Sequence, residues 1–186
     1  MNTPTPLAFA FADAAAGGWC CIASAIFCFF HPFFMATRSF ISRSIEDGFE
    51  GVYCHWDGYL EHVGALLLQY WSDPEKLGEL IALGDISVLG TEIGEAHNFD
   101  DRLFQSESTN GTTFYGRDRG ETGVGPKTFL ELDDLVHYAD KSGCEYIYVL
   151  DQGNWYFIDR GAQFFGLSDG AAYSDFKRVD KALMVA

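Results

Sequence analysis

The chain reads as a single α+β domain whose sheet is mainly antiparallel, built from two β-hairpins with three to four helices. Three observations predict it. Two stretches of strand character are each folded back by a turn of acidic, amide and glycine residues. Apolar stripes at helical spacing lie between them, and no strand–helix–strand unit repeats as a parallel sheet requires.

The elements follow in chain order. Arg38 to Ile45 alternates polar and apolar side chains, Glu46-Asp47-Gly48 supplies a turn, and Phe49 to Trp56 is rich in aromatic and β-branched residues, which makes the first hairpin. After Asp57-Gly58, the positions Leu60, Val63, Leu66, Leu67 and Tyr70 recur at helical steps and predict a helix with one buried face. A second helix has Ser72-Asp73 as cap, Pro74 in its first turn, a stripe of Leu77, Leu80 and Ile81, and Gly84 at its end. Residues 92–127 are polar and glycine-rich, a long excursion with one strand around Thr112 to Tyr115. Thr128 and Glu131 form a capping-box pattern before a helix carrying Leu132, Leu135, Val136 and Ala139, closed by Gly143. Glu145 to Leu150 and Trp155 to Ile158 flank Asp151-Gln152-Gly153-Asn154 as the second hairpin. A last helix is expected over Asp175 to Met184, with Phe176, Val179 and Leu183 inward.

Composition bounds the function. Among 186 residues there are 27 acids against 12 bases, a formal charge of −15, with 16% aromatic residues. Such a chain has enough apolar side chains to fold, and its scattered cations make no phosphate-binding patch, so direct nucleic-acid binding is disfavoured. Residues 1–34 stand apart as an apolar segment, and the stretch 14–36 contains no charged residue at all. That length can cross a bilayer. The flanking charges do not suit a secretory signal, since Arg38 and Arg43 follow the run. The preferred account is a start at Met35, which deletes one acid and no base and leaves 26 acids against 12 bases, a charge of −14. A membrane anchor through residues 14–36 and a segment packed into the fold stay open. Of five cysteines only Cys54 and Cys144 fall in the domain at 35–186, so no disulfide framework is expected; buried thiols in a reducing cytoplasm are.

Several constellations carry chemistry on paper. His55, Asp57 and His62 sit at a strand-to-helix junction, and His97, Asp100 and Asp101 in the long excursion, residue types that bind zinc or a similar cation. Their spacing matches no standard motif, and the plain account is a turn at Asp57-Gly58 with His55 and Trp56 ending a strand. Gly120 to Gly125 reads GETGVG, but Pro126 occupies the position a phosphate loop gives to lysine, with Lys127 one residue late. Arg117, Asp118, Arg119 and Glu121 form the densest charge cluster. They can grip a partner's anions through paired guanidinium contacts or neutralise one another. Cys54 beside His55 is no catalytic dyad, because strand neighbours point to opposite faces. No cofactor and no catalytic residue is expected.

The segments YCHWDGY, LIALGDIS and GRDRGE, with the YIYVLDQGNWYFI hairpin, resemble small uncharacterised proteins of tailed phages, prophages and related mobile elements. Leu60 stands where the related pattern carries proline. The resemblance implies an accessory role and no particular reaction. Joined to the acidity, it points to a cytoplasmic protein that binds a host protein with a basic surface, as an inhibitor of a nucleic-acid-handling factor, through His55, Trp56, Asp57, Arg117, Asp118, Arg119 and Glu121. The alternative is a small metal-dependent or nucleotide-processing enzyme using the His55/Asp57/His62 region and the Arg117–Glu121 loop.

Overall fold

In the computed structural model, which describes residues 36–100, 110–160 and 175–185, the first hairpin forms the centre of the sheet. Strands β1 (Ser39–Ile45) and β2 (Gly48–Cys54) pair antiparallel from Ser39–Cys54 to Ile45–Gly48. Gly48 is obligatory in the turn. Its φ of +117° lies where side chains rarely go, and a Cβ there would collide with the Phe129 carbonyl.

The predicted first helix forms, with a change of winding. Leu60–Gly64 is a π-helical turn that passes into α1 (Ala65–Tyr70). A π turn takes one more residue than an α turn. The inward stripe therefore runs Val63, Leu67, Trp71, and Tyr70, expected inside, is 37% exposed. Trp71 is fixed by its indole N–H donating to the Gly90 carbonyl at 2.9 Å. Helix α2 (Pro74–Ala82) follows the expectation closely: Asp73 accepts from the backbone N–H groups of Glu75 and Lys76 at 2.9 and 3.4 Å, and Leu77, Leu80 and Ile81 are buried.

Three short strands were not foreseen. β3 (Ile86–Val88) lies parallel to β2 at Cys54–Ile86. Beyond it, β4 (Thr113–Phe114) is the strand expected near Thr112, and it leads into an unexpected helix α3 (Tyr115–Arg119), whose two arginines and glycine carry no apolar stripe. The polar excursion is thus only partly loop. The second unforeseen strand, β5 (Lys127–Phe129), pairs antiparallel with the first half of β2, which β3 leaves uncovered. This corrects the capping-box expectation. Thr128 lies in β5 opposite Glu50, and α4 (Leu132–Lys141) begins after Glu131 without a side-chain cap. The pairing wins because it seats Phe129 against Phe40 and Tyr138, at centroid distances of 6.0 and 5.4 Å.

The second hairpin, β6 (Tyr146–Asp151) and β7 (Asn154–Asp159), forms as expected. β6 pairs parallel with β1, so two parallel ladders sit in a mostly antiparallel sheet of order β4-β3-β2-β1-β6-β7 followed by β8 (Lys177–Arg178), with β5 beside β2. The expected last helix is shortened: β8 (Lys177–Arg178), the third unforeseen strand, comes first, and α5 (Val179–Leu183) buries Val179.

Strand alternation divides the core in two. Ile41, Tyr148, Leu150 and Phe157 join Val63, Leu67, Leu77 and Val179 on one face. Phe40, Ile147, Val149 and Ile158 join Leu135, Val136 and Ala139 of α4 on the other. The strands β1, β2, β6 and β7 each contribute to both clusters because successive side chains point to opposite faces. Residues 14–35 of the apolar segment and Asp101 lie outside the described residues. Among the described residues, no helix is long and apolar enough to cross a membrane.

Candidate functional site

The site grows out of the end of the β1–β2 ladder. Past Cys54 the chain is held by backbone bonds: His55 and Trp56 donate to the Ile86 and Ser87 carbonyls at 3.0 and 3.1 Å, and Gly58 donates to Thr37 at 2.8 Å. Asp57 bridges them in the left-handed region, φ 55°, a conformation that Asp tolerates better than most residues. Gly58 must lack a side chain, since a Cβ would sit 2.8 Å from that of Ser39. The result is a fixed loop with Trp56 38% exposed and Tyr59 37% exposed at its edge.

His55 is the hub of an aromatic cluster. Its Nδ1 lies 2.8 Å from the Tyr53 hydroxyl, and its ring meets Trp56 edge-on at 4.9 Å and Tyr115 at 6.4 Å. Burial, aided by the nearby Arg38 guanidinium, pushes His55 below its ordinary value. Burial also pushes Tyr53 up to about 12, against the pull of Arg38. Tyr115 is raised by burial, with its hydroxyl in hydrogen-bonding reach of Ser87. Asp85, which accepts the Tyr53 backbone N–H at 3.0 Å, is raised by burial as well.

The charged cluster resolves into separate roles. Arg117 engages all five of its N–H donors within the chain: Nε and Nη2 hold the Asp118 carboxylate at 2.7 and 2.9 Å, Nη2 also reaches the Thr112 carbonyl, and Nη1 reaches those of Ile93 and Gly94. Nothing on Arg117 remains to grip a ligand. The Asp118 side chain is 0% exposed and also accepts from the backbone N–H of Phe114 and His97. Burial alone would raise it, but the bonds from Arg117, Phe114 and His97 outweigh burial and hold it below the ordinary carboxylate value. Arg119 and Glu121, by contrast, are exposed and pair at 3.3 Å, with Arg119 over the Phe99 ring at 5.0 Å.

Around Asp118 lies a network that the sequence did not signal. His97 Nε2 is 3.0 Å from the Thr113 hydroxyl, its Nδ1 is 3.2 Å from the Glu95 carbonyl, and Asp118 stands 3.7 Å from the same Nδ1. The order hydroxyl, imidazole, carboxylate is that of a nucleophilic triad. Thr113 is only 3% exposed, however, which denies its hydroxyl a substrate and makes the network a brace between residues 92–97 and 112–118.

The metal candidates do not assemble. His62 lies on the π turn against Tyr59, at a centroid distance of 5.8 Å, while His55 turns towards Tyr53. Among the described residues, no three His, Cys, Asp or Glu side chains are grouped to hold a metal ion. The GETGVG stretch leads into strand β5, with Lys127 Nζ donating to the Gly123 carbonyl at 3.4 Å, so it does not present the helix start a phosphate loop needs. Cys54 and Cys144 are free, buried thiols. Comparison with protein-family models, with curated proteins and with solved structures gives no match for this chain.

Proposed function

We propose that the chain is a cytoplasmic accessory protein of a phage or mobile element that binds a host protein carrying a basic surface. One observation carries this reading: a loop pinned by three backbone bonds presents Trp56 to solvent, with exposed Tyr59 and the exposed acids Asp57 and Glu61 beside it. A pre-ordered loop loses little entropy on association, and tryptophan and tyrosine are the side chains that anchor interfaces. The charge of −15 adds long-range attraction towards a basic partner, and Arg117, closed upon Asp118, leaves recognition to the aromatic loop and to exposed Arg119 and Glu121.

The test is affinity capture from host lysate with the intact chain and with Trp56→Ala, each washed at low and at high salt. The reading expects one protein retained by the parent at low salt, released at high salt, and lost by at least tenfold with Trp56→Ala. Capture that is indifferent to both the substitution and salt would sink it.

A further inference from the structure

Residues 90–94 are laid directly on the backbone of Asn110 and Gly111. The Asn110 carbonyl accepts from the Glu92 N–H at 2.9 Å and from the Thr91 hydroxyl at 3.3 Å, and the Thr112 N–H donates to the Glu92 carbonyl at 2.9 Å. These bonds step over Gly111, which stands opposite Glu92 in a parallel bridge. The approach leaves no room for side chains. A Cβ on Gly90 would lie 2.3 Å from the Asn110 carbonyl oxygen, and one on Gly94 would lie 2.8 Å from the Gly111 Cα.

Between these fixed points lies a reactive pair. Asn110 is exposed, and among the described residues neither its carboxamide nor the Gly111 N–H makes a hydrogen bond. Asn98 and Asn154 are followed by Phe99 and Trp155, whose side chains crowd the next backbone nitrogen, whereas Gly111 has no side chain to do so.

We propose that Asn110-Gly111 is a site of self-modification, where asparagine converts to aspartate and isoaspartate and the isoaspartate unfastens residues 90–94 from residues 110–112. The Gly111 nitrogen attacks Asn110 Cγ and closes a five-membered imide. The Cγ–Nδ2 bond breaks, and ammonia leaves with the Gly111 proton. Water then opens the ring at Cγ to give aspartate, or at the original main-chain carbonyl to give isoaspartate, whose chain runs through Cγ and is one methylene longer. Aspartate adds a charge and keeps the main chain as it was. Isoaspartate displaces the carbonyl that holds Glu92 and Thr91, so those bonds and the close contact with Gly94 are not kept together. The pinned carbonyl opposes the rotation that ring closure needs. Conversion therefore proceeds through local opening of residues 92–96, which are mostly exposed and carry few apolar side chains.

The experiment ages the intact chain, folded and in urea, for several weeks at neutral pH and physiological temperature in heavy-oxygen water, beside Asn110→Gln and Asn110→Asp. Peptide mapping, with fragmentation that distinguishes the isoaspartyl bond, reads conversion at Asn98, Asn110 and Asn154. Ion exchange isolates the product by its added negative charge for thermal melts. Conversion of folded Asn110 about tenfold or more faster than at Asn98 or Asn154, with heavy oxygen incorporated and no conversion in Asn110→Gln, supports the site. The isoaspartate-bearing product should melt about 3 °C or more below the parent, while Asn110→Asp, which has the charge without the longer chain, stays within about 1 °C. The proposal is overturned if folded Asn110 stays intact while the urea-unfolded chain converts, if the product melts like the parent, or if Asn110→Asp reproduces the whole fall.

Discussion

Replacing Asp118 by asparagine keeps the side-chain shape and removes the charge that ties residues 92–97 to residues 112–118. Four N–H groups converge on that carboxylate: Arg117 Nε at 2.7 Å and Nη2 at 2.9 Å, Phe114 N at 2.8 Å and His97 N at 3.2 Å. An amide keeps one acceptor oxygen and turns an NH₂ towards donors, so two of the four bonds are lost. At roughly 1.5 kcal/mol for each bond involving a charged group, the loss is about 3 kcal/mol. The same figure follows from breaking a buried ion pair from one side, about 3–5 kcal/mol. With a urea slope of about 2 kcal/mol/M, the unfolding midpoint should fall by about 1.5 M at neutral pH with the slope unchanged. The pH dependence has a definite sign. The folded Asp118 sits below its unfolded value of 3.8, so the unfolded chain binds the proton more readily. Its contribution is fully present above about pH 4 and disappears as pH falls through the folded value, so the gap between parent and variant closes in acid. Arg117→Met alone should cost a similar amount, and the double substitution less than the sum. A midpoint drop below about 0.5 M, or strict additivity, would refute the brace.

Two further outcomes concern the core. Burial pushes the Cys54 thiol up to about 12 and raises Cys144 further, so alkylation of the native protein near pH 8 should leave both untouched while the urea-unfolded chain reacts fully; rapid labelling of native Cys54 contradicts its burial. Gly48→Ala meets both a φ of +117° and the Phe129 backbone, and should lower thermal stability by about 1–3 kcal/mol, read from the melting curve; a neutral result would mean that β5 does not pair with β2 as described.

The legibility of the fold varied with the length of the signal. The hairpins β1–β2 and β6–β7 and the helix α2 were plain, because alternation, turn residues and an Asp-Pro start act within a few residues of one another. An ideal helical period puts Tyr70 inside, and a single π turn moves the buried position to Trp71. Thr128 and Glu131 satisfied a capping rule that was overridden, since pairing with β2 and packing of Phe129 offer more than one cap. Strands of two or three residues, such as β3, β5 and β8, are too short to show a period at all.

The site was half visible. Residue type alone marks His55, Trp56 and the arginine cluster, yet Arg117 and Arg119 look equivalent in sequence and differ in the fold, one closed upon a buried carboxylate and the other exposed. By itself the sequence determined the fold class, the two hairpins, the apolar faces of the helices and the acidic charge, because these arise from local periodicity and composition. Only the tertiary structure decided that Arg117 is closed upon Asp118 and that His97 and Thr113 brace it. Those facts depend on which distant residues share one face of the sheet, and register between strands is settled by packing across the whole core.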